Sequence, residues 1–152
     1  MYSLKEYEDK VLDALKPLLR ENGGYLKALK GYAGELASEE ALTKFFVNQF
    51  PAVLVKVSSA EYEYADQECT RETVTVDLLI VSQSYQDQSE ARGGSKGAYT
   101  ILKDIMEKLK EKTLGLSIRP LKPVRAWELY STPQVVFWAA QYQLINDCIE
   151  NV

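Results

Sequence analysis

The segment from Pro133 to Leu144 constrains the fold most, because its pattern predicts a strand that is apolar on both faces. Side chains alternate across a strand, which puts Val135, Phe137 and Ala139 on one face and Val136, Trp138, Ala140 and Tyr142 on the other. A small antiparallel sheet normally buries one face and exposes the other to water. Something must therefore cover the second face, and in so short a chain we expect the cover to be another copy of itself.

Length and charge narrow the class of protein. At 152 residues the chain is predicted to form a single domain, residues 1–152, that buries roughly 70% of the surface its unfolded form would expose. The net charge is −4, so no surplus of Lys and Arg can displace counterions from nucleic acid. No apolar run approaches the ~18 residues of a membrane span, and the first residues lack the apolar core of a signal peptide. We expect neither sequence-specific nucleic acid nor a membrane as a partner.

The residue types that usually carry chemistry are scarce. The chain has no histidine and two cysteines, Cys69 and Cys148, a pattern that favours two unpaired thiols in a cytoplasmic protein over a disulfide framework. Zinc sites need clustered Cys or His, and the usual nucleophile–base pairs need an imidazole. The glycine-rich run at 92–97 lacks the spacing of a phosphate-binding loop. We therefore expect no catalytic residue, no metal site and no cofactor.

The order of secondary-structure elements can be predicted from spacing and caps. Ser3 and Glu6 form a capping box, and the apolar pattern that follows predicts a helix. Pro17 lies inside this pattern, so we expect the helix to kink or end near Leu15, with Asn22-Gly23-Gly24 as its stop. After it we expect a short strand, a short helix, a long hairpin, a long helix and final strands, at residues 25–29, 38–50, 52–82, 97–112 and 116–144.

This order predicts an α+β fold. Its sheet should be mostly antiparallel, with four to five strands, two main helices packed on one face and one additional short helix. Residues 83–96 are too polar to offset their ordering entropy, so we predict a mobile loop there. Loops of this length are uncommon in compact domains and are often functional.

The hairpin's second strand separates a core face from another face that carries one unusual acid. Val74, Val76, Leu78 and Ile80 should face the core. Asp77 lies on the other face beside Leu79 and Val81. We expect it either to make an ion pair or hydrogen bond at an interface or to face solvent. The glutamates at 61, 63, 68 and 72 lie in segments predicted to be exposed, so we interpret them as solvated charges.

Aromatic residues are numerous, with ten tyrosines and two tryptophans. Most can be explained as core residues or hairpin covers, but several could anchor subunit contacts, where aromatic side chains are enriched. Trp138 and Tyr142, on the second face of the final strand, are the leading candidates. The predicted subunit interface is therefore Asp77, Leu79, Val81, Trp138 and Tyr142.

Several short motifs resemble those of Mu-like phage and prophage tail proteins. They are Gly31-Tyr32-Ala33-Gly34-Glu35-Leu36, then Phe50-Pro51-Ala52-Val53-Leu54-Val55, then Gly115-Leu116 with Pro120-Leu121, and finally the apolar closing strand. The resemblance covers nearly the whole chain, although its motifs are mostly structural. The element order also resembles the tail-terminator proteins of long-tailed phages.

The resemblance implies a structural protein rather than an enzyme, assembled as a hexameric ring at the end of the tail tube. Its partners would be further copies of itself and the tail tube and neck proteins, first in the host bacterial cytoplasm and then in the virion tail. Faces and edges of neighbouring sheets would meet through residues such as Leu79, Val81 and Trp138. The tube or neck would be contacted by the hairpin tip at 61–72 and by the polar loop, including Tyr85, Asp87, Arg92 and Lys96.

Two other functions stay open. A small intracellular adaptor could act as a monomer or dimer, with a groove beside the final strand, and an enzyme could use a carboxylate or lysine site. A ring needs heterologous contacts, whereas a dimer needs one self-complementary patch. An enzyme needs a concave pocket with perturbed titrating groups.

Overall fold

The computed structural model describes residues 2–33, 50–83, 97–131 and 135–150. In these ranges the helices and strands are α1 Leu4–Leu15, β1 Ala28–Gly31, β2 Ala52–Tyr64, β3 Cys69–Gln83, α2 Ala98–Leu109, β4 Lys122–Ser131 and β5 Val135–Glu150. Two 3-10 turns, Lys16–Leu18 and Arg20–Asn22, follow α1. The predicted short helix at 38–50 falls almost wholly outside the described residues. So does the predicted mobile loop beyond Gln83, with its candidates Tyr85, Asp87, Arg92 and Lys96.

The first helix begins at its predicted cap and ends at Leu15, which selects the end over the kink expected beside Pro17. The Ser3 hydroxyl accepts a hydrogen bond from the Glu6 amide at 3.1 Å, and the Glu6 carboxylate accepts one from the Ser3 amide at 2.6 Å. This capping box satisfies two N–H groups that a helix start otherwise leaves unpaired. At the other end, α1 stops at Leu15 and Pro17 lies in the first 3-10 turn, because proline cannot donate to a continuing helix.

The five strands form one sheet in the order β1-β2-β3-β5-β4. β1 runs parallel to β2, whereas the other three neighbouring pairs are antiparallel. The sheet is therefore mixed, and the prediction of a mostly antiparallel sheet is corrected. The chain between β1 and β2 is long enough for the crossover that a parallel pair needs, but local sequence carries no signal of strand direction.

The two helices pack mainly on different strands. α1 contacts β1 and β2, while α2 contacts β3 and β5, and the helices also touch each other. We predicted two main helices packed on one face, whereas in the structure each helix contacts mainly its own pair of strands. An amphipathic stripe shows which side of a helix is buried, but it does not show which strands that side will meet.

One large cluster joins both helices to the sheet, and we call the sheet face that contributes to it the helix face. The predicted core residues of β3 (Val74, Val76, Leu78 and Ile80) all belong to it, as do Val136, Ala140, Tyr142 and Leu144 of β5. Cross-strand register explains this set, because Val76 lies opposite Tyr142 and Leu78 opposite Ala140. The predicted core face of β3 is therefore confirmed.

Burial of Tyr142 should make folding sensitive to alkaline pH. Its side chain is 2% exposed, and burial raises its pKa to about 12 because the phenolate would lose hydration. The pKa of Tyr142 in the folded protein exceeds the unfolded value near 10. The protonated hydroxyl therefore contributes fully to stability below pH ~10, and this contribution is lost as the pH rises to about 12. Over that pH range the free energy of unfolding should therefore fall by about 2 kcal/mol less in Tyr142→Phe than in wild type.

The measurement is the urea midpoint of the wild type and the variant between pH 9 and 12. Measurements between about pH 6 and 8 are the control, because the Tyr142 hydroxyl stays protonated there in both the folded and the unfolded state, so the difference between the two proteins should be constant. Equal pH dependence in Tyr142→Phe and wild type would contradict the assignment.

Candidate functional site

We call the sheet face opposite the helix face the outer face. Its residues form rows across four strands, and we call each row of residues that lie opposite one another a rung. The first rung is Lys56, Asp77, Gln141 and Arg125, the second is Leu54, Leu79, Ala139 and Trp127, and the third is Ala52, Val81, Phe137 and Tyr130. One charged rung therefore lies beside two apolar rungs.

Polar contacts hold the charged rung in place. The Gln141 amide donates a hydrogen bond to Asp77 Oδ1 at 3.0 Å. At the two ends of the rung, the Lys56 ammonium lies 5.5 Å from the centre of the Tyr32 ring, and the Arg125 guanidinium lies 4.1 Å from the centre of the Trp127 ring. Asp77 thus has a hydrogen-bond partner within its own chain, and both cations lie at distances typical of cation–π contacts.

The apolar rungs are largely buried within one chain. Leu54 and Val81 are 0% exposed, Ala139 is 1% exposed and Phe137 is 5% exposed. Leu54 also belongs to a second small cluster, into which Tyr32 and Leu79 pack. The premise that a second copy must cover this face is therefore wrong for these residues, and Val81 is not accessible to a partner. Leu79 and Asp77 are only partly exposed.

The two aromatic interface candidates lie on the helix face instead of the outer face. Tyr142 is part of the core cluster, and Trp138 packs against that cluster. The Trp138 ring also meets the Tyr99 ring edge-on at 5.7 Å between centres. Alternation correctly separates the two faces of β5, but it does not show which of them the helices cover. We therefore assign Tyr142 to the subunit's own core.

Strand β4 forms an exposed edge that the sequence patterns did not single out. Among the described strands it pairs only with β5, and its apolar side chains Val124, Leu129 and Tyr130 are 49%, 44% and 58% exposed. Exposed apolar edge strands tend to pair with other chains. The sequence did contain a signal for an edge strand, namely Pro123 and the mixed charges at 122, 125 and 128, because proline in a sheet is confined to edges and bulges.

The opposite side of the sheet has a second exposed edge. β1 pairs with β2 only from Ala52 to Val55, so within the described residues the rest of β2 has a strand neighbour only in β3. This part of the hairpin carries exposed Tyr62 and Tyr64 (55% and 67%) and exposed Glu61 and Glu63. The two edges differ in charge, one acidic and one with two cations.

At the far end of the sheet, Glu72 is 0% exposed, so the prediction of a solvated carboxylate is wrong there. The Tyr7 hydroxyl donates a hydrogen bond to Glu72 Oε1 at 2.7 Å, and the Asn146 amide lies 3.5 Å from the Tyr7 oxygen. Burial and then the bond to Glu72 raise the pKa of Tyr7. Register explains the error, because Glu72 pairs with Asn146 on the helix face.

Cys69 and Cys148 form a disulfide, which corrects the expectation of two unpaired thiols. They are 79 residues apart in sequence, but the antiparallel pairing of β3 with β5 brings their Cα atoms to 4.7 Å. Beside them, Arg119 donates two hydrogen bonds to Asp147 at 2.6 and 2.8 Å, and these lower the pKa of Asp147.

Grooves and metal-binding groups are weaker candidates for a functional site than the two exposed sheet edges. One groove of about 940 Å³ runs along residues 19–21 and 26–30, and a smaller one of about 390 Å³ is lined by residues 117–119 and 146–148 at the end of β5. In the part of the chain that the structure describes, no group of three or more His, Cys, Asp or Glu could hold a metal ion. No described helix has the length and apolar character needed to span a membrane.

Comparison with known proteins places the chain in a family. No curated protein matches the chain. The sequence profile of the family described as Bacteriophage Mu, Gp37 matches residues 3–143, a stretch that begins at the cap of α1 and reaches into β5. The chain therefore belongs to this Mu-like phage protein family, and that membership indicates a structural, tail-related phage protein.

Proposed function

We propose that the chain is a tail-terminator-like subunit that forms a ring at the end of the tail tube and contacts tube or neck proteins. It acts by association rather than by catalysis, with further copies of itself as its first partners. The observation that carries this proposal is the pair of exposed sheet edges, β4 on one side and the distal half of β2 on the other. Membership of the phage family supports the tail context.

Two different edges favour a ring over an isolated dimer. A twofold dimer joins identical patches, whereas a ring joins one surface of each copy to a different surface of the next. Here one edge carries exposed Val124, Leu129 and Tyr130, and the other carries exposed Glu61 and Glu63. Each subunit therefore offers two unlike surfaces on opposite sides of one sheet, as heterologous closure requires.

The hairpin tip is the proposed contact with the tube or a neck protein. Tyr62 and Tyr64 are more than half exposed, and tyrosine is enriched at binding hot spots because its rigid ring buries a large area. The turn beyond them is held by the Asp66 carboxylate, which accepts the Glu68 and Cys69 amides at 2.8 Å each. A fixed turn presents the aromatic side chains at little ordering cost.

The test is the solution mass, measured by light scattering coupled to size exclusion at several concentrations. We expect a species near six times the chain mass of 17.2 kDa, or one that approaches it as concentration rises, and ring-shaped particles by negative-stain electron microscopy. A concentration-independent dimer would contradict heterologous closure. A strict monomer would contradict the ring and favour a monomeric adaptor that uses the groove at residues 117–119 and 146–148.

A further inference from the structure

We propose that neighbouring subunits join by pairing β4 of one copy with the distal part of β2, residues 57–64, of the next, with Lys122 and Arg125 facing Glu61 and Glu63. This inference rests on the proposed ring and names the surfaces that build it. The partner is thus a second copy of this chain, recognised by backbone pairing and by opposite charge.

A bulge places the two cations on one face. Lys122 lies opposite Gln143 and Arg125 opposite Gln141, with a register shift between Pro123 and Arg125. Gln141 and Gln143 are two residues apart on β5, so they point to the same face. Without the bulge, Lys122 and Arg125, three residues apart, would point to opposite faces. The extra residue therefore puts both cations on the outer face at successive rungs.

The acidic edge has the same spacing on the same face. Glu61 lies opposite Thr73 and Glu63 opposite Arg71. Thr73 and Arg71 are an even number of residues from Asp77 along β3, so all three lie on the outer face. Both glutamates are exposed. Glu63 is held only loosely by Arg71, because the closest atoms are 3.6 Å apart and its side chain is 74% exposed. Two carboxylates at successive rungs can therefore meet two cations at successive rungs.

Strand direction makes this match geometrically consistent. Successive antiparallel pairs β2-β3, β3-β5 and β5-β4 leave β4 antiparallel to β2. A neighbouring copy in the same orientation would therefore set its β2 antiparallel to β4 and continue the sheet with its outer face on the same side. In that register Lys122 meets Glu63 and Arg125 meets Glu61. β1 does not block the pairing, because it occupies β2 only as far as Val55.

Charge gives the contact its polarity. Two acidic edges repel, as do two basic edges, whereas an acidic edge attracts a basic one, so complementary charges favour head-to-tail order. Exposed pairs of this kind are weak singly and are screened by salt. The apolar side chains and backbone groups of β4 are then expected to supply most of the affinity, while the four charges select the partner edge.

The sharpest test uses two charge-reversed variants. Glu61→Lys/Glu63→Lys makes both edges basic, and Lys122→Glu/Arg125→Glu makes both edges acidic. We expect each variant alone to need at least tenfold higher concentration than wild type to assemble. An equimolar mixture should regain the wild-type mass by light scattering, because the two variants can alternate around a ring with an even number of subunits.

Glu21→Lys/Glu107→Lys is the matched control for Glu61→Lys/Glu63→Lys, because it makes the same change in net charge at exposed positions away from both edges. It should assemble like wild type. Circular dichroism checks that every variant is folded. Glu61→Gln/Glu63→Gln, which removes charge without reversing it, should shift assembly in the same direction by a smaller factor.

The outcomes separate this inference from the proposed function. If wild type forms rings and both charge-reversed variants do so equally well, the edge pairing is overturned while the ring stands. A mixture that fails to regain the wild-type mass also overturns the pairing of these two edges. If wild type is monomeric at every concentration, the ring and the edge pairing are both contradicted.

Discussion

Cys69→Ser/Cys148→Ser should lower the free energy of unfolding by about 4 kcal/mol. The disulfide joins residues 79 apart in sequence, and closing a loop of that size removes a large part of the unfolded chain's conformational entropy. It also ties the start of β3 to the end of β5, where the two strands leave the core. Urea unfolding of the oxidised protein and of the variant, both at neutral pH, measures the difference.

Reduction provides an independent control. Wild type treated with a dithiol reductant should unfold at the same urea concentration as the double variant, and the reductant should not change the double variant itself. Thiol titration under denaturing conditions should find no free thiol before reduction and two afterwards. If the reductant leaves wild-type unfolding unchanged, the bond makes no contribution to stability.

Tyr7→Phe should cost about 3 kcal/mol, more than the loss of an ordinary hydroxyl. The change keeps the buried ring but removes the hydroxyl that donates to Glu72 Oε1 at 2.7 Å. Glu72 is 0% exposed and its other carboxylate oxygen is buried without a hydrogen-bond partner. A buried carboxyl group that loses a hydrogen-bond donor costs more than the bond contributed when intact.

A double variant separates the hydroxyl from the carboxylate. Tyr7→Phe/Glu72→Leu replaces both partners with apolar groups, a change that is often nearly neutral, so it should recover most of the stability that Tyr7→Phe loses. Urea unfolding of wild type, both single variants and the double variant gives the coupling energy between the two side chains. A cost below about 1 kcal/mol for Tyr7→Phe, or additive effects in the cycle, would contradict this account.

Local signals in the sequence were enough to predict the local features of the fold. The Ser3 cap, the end of α1 before Pro17 and the alternation that buries Val76 and Leu78 all depend on neighbours within a few residues. They need no knowledge of the rest of the chain, and the structure agrees with each of them. The same holds for the α+β class, which follows from the order of the elements.

What the sequence could not provide was register between distant strands. The disulfide, the buried Glu72 and the core position of Tyr142 all follow from how β3 aligns with β5, which lies far along the chain. The parallel partner of β1 was hidden for the same reason. The exposed edge at β4 was missed because edge position depends on strand order, and Pro123 was its only strong local sign.

The position of β5 in the sheet also has a consequence for how the protein is made. β5 follows the other four strands in chain order, yet it lies between β3 and β4, so neither strand can complete its pairing until β5 has emerged from the ribosome. Until then β4 has no strand to pair with among the described residues, and unpaired strands of this kind are prone to aggregate. Pairings so distant in sequence also slow folding. The β4 edge is therefore the last part of the sheet to form during synthesis, and until β5 pairs with it β4 exposes the hydrogen-bonding groups on both of its sides.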